Sequence, residues 1–423
     1  MPTPYEIAVL RKQGHLDEAY SAAKDALVAP SDHQDELLRL LGFIVCDQLK
    51  LLAGAVSASF LAKLKDFSDL RIPESETMIY NSLLWNLRAF VVDEHKSDED
   101  LTRSMDTLFD LIRTMPLRRK GDAFSAFVSA VLHHTGAWSR VGEWALWCGF
   151  DCLQPKDFQP FTTRDNKRLM SLAEQLDCKI GKYLLSDNHQ QQIVDFLPTQ
   201  EQFAAAHPDY TFPPYYLAKM YIAVGERQKA HATLIPFMRR KAHDFWVWEL
   251  MAEATQDTDM QLAFYCKALT CRTKEGMNIG LYQAAAVAFA RSGDYNTARY
   301  LIDRACQIRQ AHKWAIPRAL QEMMRQSWYA VAQPRLDKAR VAELTARAET
   351  VCPQRKKTDK AERKDFEGKL HLNPKGFGFV DNIFIPAHLI GTHRNGDTIK
   401  GIAVSSFDKN KNKTGFKAEK IWS

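Results

Sequence analysis

Along most of the chain, apolar residues return every three to four positions, the spacing that gives a helix one buried stripe. On this pattern helices are predicted over 36–64, 76–92, 98–114, 123–134, 141–152 and 166–185, with Pro73, Pro116, Pro155 and Pro198 as punctuation. From Gly368 onward the period shortens to two. Residues 368–372, 376–380, 382–386, 398–405 and 415–421 then read as short strands, a turn at Asn395-Gly396-Asp397 preceding the fourth. Between the two regimes, 351–366 is charged and almost free of apolar side chains, the composition of a linker.

A second period lies within the helical part. Ala218, Ala252 and Ala286 are spaced by 34 residues, and Gly225 and Gly293 by twice that distance. Ala230 and Ala298 follow those glycines by five positions, as Ala19 follows Gly14. Small residues let two helices approach, and Gly ends the first helix of each pair, so this period resembles the tetratricopeptide helical hairpin. Tyr221 matches Phe289, and Trp248 matches Tyr282. The middle hairpin departs from the pattern: its turn at 255–259 lacks Gly and is one residue short. Trp246 and Trp248, two apart on a helix, cannot share a face; one of them lines a concave surface or both enter a packed core.

The expected architecture is multidomain and mainly α: a degenerate tetratricopeptide-like α-solenoid followed by a small all-β barrel of the OB-fold type. The expected domains are a helical region 1–211 with a hairpin near 5–30, helical repeats over 212–350, the linker 351–366 and the barrel 367–423.

Charge sharpens this division. The chain carries +6 overall, yet between Pro353 and Ser423 there are 15 Lys+Arg against 8 Asp+Glu, leaving 42 against 43 elsewhere. A near-neutral body with a basic terminal module points to an anionic partner at that end. The first residues, Met1-Pro2-Thr3-Pro4-Tyr5-Glu6, lack the basic and apolar regions of a secretory signal. The most apolar stretch, 37–64, is broken by Asp47, Lys50 and Lys63, so no membrane partner is expected. Eight cysteines without a CxxC pair fit a reduced, cytoplasmic setting. Cys148 and Cys152 with His133 and His134 offer a metal alternative that lacks the spacings of a structural zinc site, so no metal is expected.

The basic module contains Lys375-Gly376-Phe377-Gly378-Phe379-Val380. On a strand Phe377 and Phe379 share one face, forming a platform on which bases can stack; Phe384 on the next strand extends it. Lys369, Lys375 and the loop lysines Lys409, Lys411 and Lys413 are placed to meet phosphates. These residues, with His371 and His388, are the candidate nucleic-acid contacts.

The motifs Lys-Gly-Phe-Gly-Phe at 375–379 and Ile-Phe-Ile-Pro at 383–386, with Gly396-Asp397, resemble the cold-shock/S1-like domains. Two departures stand out. His371 and Leu372 occupy the region where free cold-shock proteins have a first-strand Trp, and Pro386 stands where their second motif has a His, with His388 two positions later. Together with 208–218 and Asp244-Phe245-Trp246-Val247-Trp248, the arrangement resembles a bacterial family. Its members are helical-repeat proteins with S1/cold-shock-like tails, associated with TOTE conflict systems. The resemblance implies single-stranded nucleic acid as partner, RNA before DNA, and a defence setting.

No phosphate loop, His-Glu-x-x-His or Gly-x-Ser-x-Gly motif occurs, so neither catalysis nor a cofactor is expected. Asp93-Glu94 and Asp98-Glu99-Asp100 read as a helix start capped by Ser97 rather than a metal site. Glu367-Gly368-Lys369 has a nuclease-like form but no suitably spaced aspartate upstream. The expectation is an RNA-binding adaptor whose helical repeats hold a protein partner or a second copy. Its rivals are a scaffold with a barrel that binds no nucleic acid, and a nuclease hidden in 35–209.

Overall fold

The computed structural model describes residues 2–422 apart from 29–31, 118, 136–137, 164–167, 187–188, 275, 352–362, 375 and 409–412; the side chains of 168, 239, 406–408, 413 and 414 are also left undescribed. It is 64% helical, in keeping with a mainly α chain. It forms two compact units, Met1–Pro334 and Arg335–Ser423. No helix of the described residues is long and apolar enough to cross a membrane.

The first unit opens with helices α1 (Pro4–Gln13), α2 (Leu16–Val28), α3 (Gln34–Leu52), α4 (Ser57–Asp69), α5 (Thr77–Val91), α6 (Asp98–Ile112), α7 (Asp122–His134) and α8 (Val141–Cys148). A two-stranded ribbon follows, β1 (Phe161–Thr162) with β2 (Arg168–Leu169), then α9 (Leu172–Leu184) and α10 (Gln190–Ala206). The apolar stripes of α3–α10 meet in one continuous core, in which Phe60 stacks on Phe90 with ring centroids 4.3 Å apart. Helices α1 and α2 pack with the start of α3 in a smaller core around Ile7, Ala19 and Leu41.

Several predicted boundaries are corrected. The long helix over 36–64 is two helices, broken at Ala53-Gly54-Ala55-Val56, where an apolar run without Pro conceals the turn. The helix over 166–185 starts only at Leu172, because Ser171 caps it by accepting the Glu174 amide at 3.0 Å. The helix over 141–152 ends at Cys148, where Gly149 leaves the helical region at φ 66°. Pro198, read as a helix boundary, lies inside α10, where it leaves the Val194 carbonyl at an exposed residue without its helical donor.

Three hairpins follow: α11 (Pro213–Ala223) with α12 (Arg227–Lys241), α13 (Phe245–Ala254) with α14 (Thr258–Thr270), and α15 (Ile279–Arg291) with α16 (Tyr295–Ala311). Ala218, Ala252 and Ala286 are fully buried, as are Ala230 and Ala298. Gly225 and Gly293 take φ of 86° and 83°, each closing its helix with the same pair of bonds. In the second case Gly293 N donates to Ala290 O and Asp294 N to Phe289 O. The equivalent turn after α1 at Gly14 is built alike. The middle hairpin lacks this turn. Thr255 is extended, Asp257 caps α14, and the buried small residue is Ala263, one position earlier than the period requires. Trp248 is fully buried and donates to the Ala242 carbonyl at 2.8 Å. Trp246 is half-buried, edge-on to Tyr215. Helices α17 (Arg318–Met324) and α18 (Ser327–Val331) complete the unit.

The second unit holds α19 (Lys338–Val351) and a six-stranded curled sheet. Its strands are β3 (Arg363–Lys369), β4 (His371–Leu372), β5 (Gly378–Val380), β6 (Ile383–Ile385), β7 (Thr398–Asp408) and β8 (Lys413–Trp422), with the one-turn helix α20 (Ala387–Ile390) between β6 and β7. The first strand therefore begins at Arg363, inside the segment read as a linker. The order is β3-β7-β8-β6-β5-β4, with β6 and β8 parallel. The two outermost strands in that order, β3 and β4, are consecutive and separated only by Leu370. One strand thus serves both edges, and the sheet must curl round to meet itself. Leu370, Val380, Ile383, Ile385, Ile399, Ala403 and Ala418 fill the interior.

Candidate nucleic-acid interface

Alternation decides which side chains the barrel presents. Gly378 and Val380 on β5, and Ile383 and Ile385 on β6, are buried; Phe379 and Phe384 between them point outward. Phe377, just before β5, joins them on the outer face. The three rings form a cluster with centroid separations of 5.8 Å (Phe377–Phe379), 5.5 Å (Phe377–Phe384) and 5.7 Å (Phe379–Phe384). Phe379 is 36% exposed. The rings therefore do not fill the barrel core. Gly378 is required by close approach, since a Cβ there would come within 2.7 Å of Leu370 and 3.0 Å of the His371 carbonyl.

Register extends this surface. His371 pairs with Phe379, Phe379 with Phe384, and Phe384 with Lys417, giving one row across four strands. His371 and Lys417 are exposed. Lys369 is exposed on the same face as His371, two residues before it. Neither Lys369 nor Lys417 makes an ion pair among the described residues, whereas Lys400 is held by Glu367 at 3.0 Å and Arg363 by Glu419 at 3.0 Å. Lys364 lies over the Phe416 ring at 4.1 Å, a packing role. Lys417 is not among the contacts expected from the sequence. Its signal was present, since an outward Lys recurs on the last strand, but the β6–β8 pairing that sets it beside Phe384 is long-range.

Other candidates fall elsewhere. His388 is exposed on α20, outside the three-ring cluster. Lys375, Lys409 and Lys411 lie outside the described residues. Lys413, expected in a loop, begins β8 and pairs with Asp408; its side chain is not described.

Cys148 and Cys152 are buried, burial pushing the Cys148 thiol well up, while His133 and His134 are exposed on α7. No group of three metal-ligating side chains occurs among the described residues. Ser97 caps α6, Asp100 accepts the Ser57 hydroxyl at 2.6 Å, and Asp93 pairs with Lys96. Glu367 is engaged by Lys400.

A curled sheet with a shared first strand, a parallel β6–β8 pair and outward aromatics defines an OB-like module of the kind that carries nucleic-acid-binding surfaces. Comparison with known families agrees: residues 364–421 match the S1/CSD-like domain 2 of the TOTE conflict systems. Residues 211–348, which span the three hairpins, match a domain of unknown function, DUF7017. No curated protein matches the chain.

Proposed function

We propose that this chain is a non-catalytic nucleic-acid-binding adaptor acting in the cytoplasm within a defence-related conflict system. The outer face of its barrel holds single-stranded RNA, and its helical hairpins hold a protein partner or a second copy. The observation that carries this reading is the outward cluster of Phe377, Phe379 and Phe384, in register with His371 and Lys417. Ring centroids more than 5 Å apart suit bases that have been splayed out, whereas stacked duplex bases present no free π-face. Likeness to S1 and cold-shock modules favours RNA over DNA.

The test is fluorescence anisotropy with labelled single-stranded RNA. At roughly 1–3 kcal/mol per stacked base, the folded double variant Phe377→Ala/Phe379→Ala binds at least about tenfold more weakly. Unchanged affinity in that variant contradicts the proposal.

A further inference from the structure

Asp177 lies on the apolar stripe of α9, among Ala173, Leu176, Ile180 and Leu184, and is fully buried. Neither carboxyl oxygen has a hydrogen-bond partner, and neither does Oε1 of Gln200, equally buried on α10. Gln200 interacts with Asp177, a contact that by itself favours the carboxylate but that burial outweighs; its Nε2 also lies 3.2 Å from the Pro213 carbonyl, and its oxygen is the end left unbonded. Two unsatisfied acceptors on neighbouring side chains lack one proton between them.

Beyond that contact with Gln200, the surroundings offer an ionised Asp177 no compensation. Glu174, one turn earlier on α9, adds charge of the same sign while accepting the Thr211 and Phe212 amides at 2.7 and 3.2 Å. Cys178 beside it and Tyr216 on α11 are a thiol and a phenol that burial keeps neutral. No cation acts on Asp177 among the described residues. A carboxylate this deeply buried, with no cation and a single amide contact, takes up a proton instead.

We propose that Asp177 is a neutral carboxylic acid donating its proton to Gln200 Oε1, and that this proton is a pH-sensitive latch joining α9 to α10 and the start of α11. The same face of α9 grips the segment 211–216. Glu174 holds its amides, and Gly181 approaches the Tyr216 ring so closely that a Cβ would lie 2.4 Å from it. Burial raises the Asp177 carboxyl from 3.8 to about 7. The sign follows: the latch is complete below about pH 4, weakens as pH rises toward about 7, and stays at the weaker level above.

The test uses the full chain and Asp177→Asn, whose amide can donate to Gln200 without titrating. Hydrogen exchange at Thr211 and Phe212 reads opening of the joint. The ratio of wild-type to variant opening rises about tenfold between about pH 6 and about pH 8, the change expected as one group ionises across that interval. A ratio that stays constant overturns the proposal. Should Asp177→Asn not fold, infrared titration of the wild-type chain carrying isotope-labelled aspartate decides alone. A protonated-carboxyl band fading near pH 7 supports the latch, and its absence at pH 6 overturns it.

Discussion

Phe379 owes its outward direction to its neighbours. Gly378 has no side chain to place and Val380 is drawn into the barrel, so the intervening ring has only the outer face. That logic was legible in the sequence, because a period of two assigns faces without reference to distant residues. Lys417 was not, since its place beside Phe384 depends on a parallel pairing over thirty positions away. Its exposure and lack of an ion pair make a direct prediction. Lys417→Glu lowers RNA affinity by roughly three- to tenfold at low salt and flattens the log–log salt dependence by about 0.7, the contribution of one phosphate contact on a single strand. Anisotropy titrations at several salt concentrations check both numbers. Asp177 also has a sequence signal, a carboxylate that with Glu174 interrupts the apolar stripe of α9. Its missing partners were hidden until α10 and α11 were in place.

At the scale of elements, the hairpin turns separate two ways of ending a helix. Gly293 sits at φ 83°, where a Cβ is strained although space is open around it. Gly293→Ala is therefore expected to cost about 1 kcal/mol, read by chemical denaturation. Thr255, which ends α13 in the middle hairpin, is extended, so Thr255→Gly gains no turn and loses stability through backbone entropy, again by up to about 1 kcal/mol. The 34-residue period was readable because small buried residues recur in it. The break between α3 and α4 and the β1–β2 ribbon were not readable: one is an apolar run marked only by the single Gly54, the other two strands of two residues each. The charged start of β3 reads as linker in the sequence because its inward residues, Phe366 and Gly368, are diluted by five charged neighbours in the strand.

For the whole molecule, charge and packing divide the work. The near-neutral helical unit and the basic terminal segment predict that nucleic-acid affinity follows the barrel alone and falls with salt. Three to six phosphate contacts from its lysines give a log–log slope of roughly −2 to −4. A slope near zero would mean that the lysines face no phosphate. The most direct measurement of the central claim is ultraviolet cross-linking of the full chain to single-stranded RNA, with the attached residues mapped by mass spectrometry. The account predicts adducts concentrated at Phe377, Phe379 and Phe384 and their row neighbours His371 and Lys417. Adducts confined to the helical unit, with the barrel face unmodified under binding conditions, would contradict it.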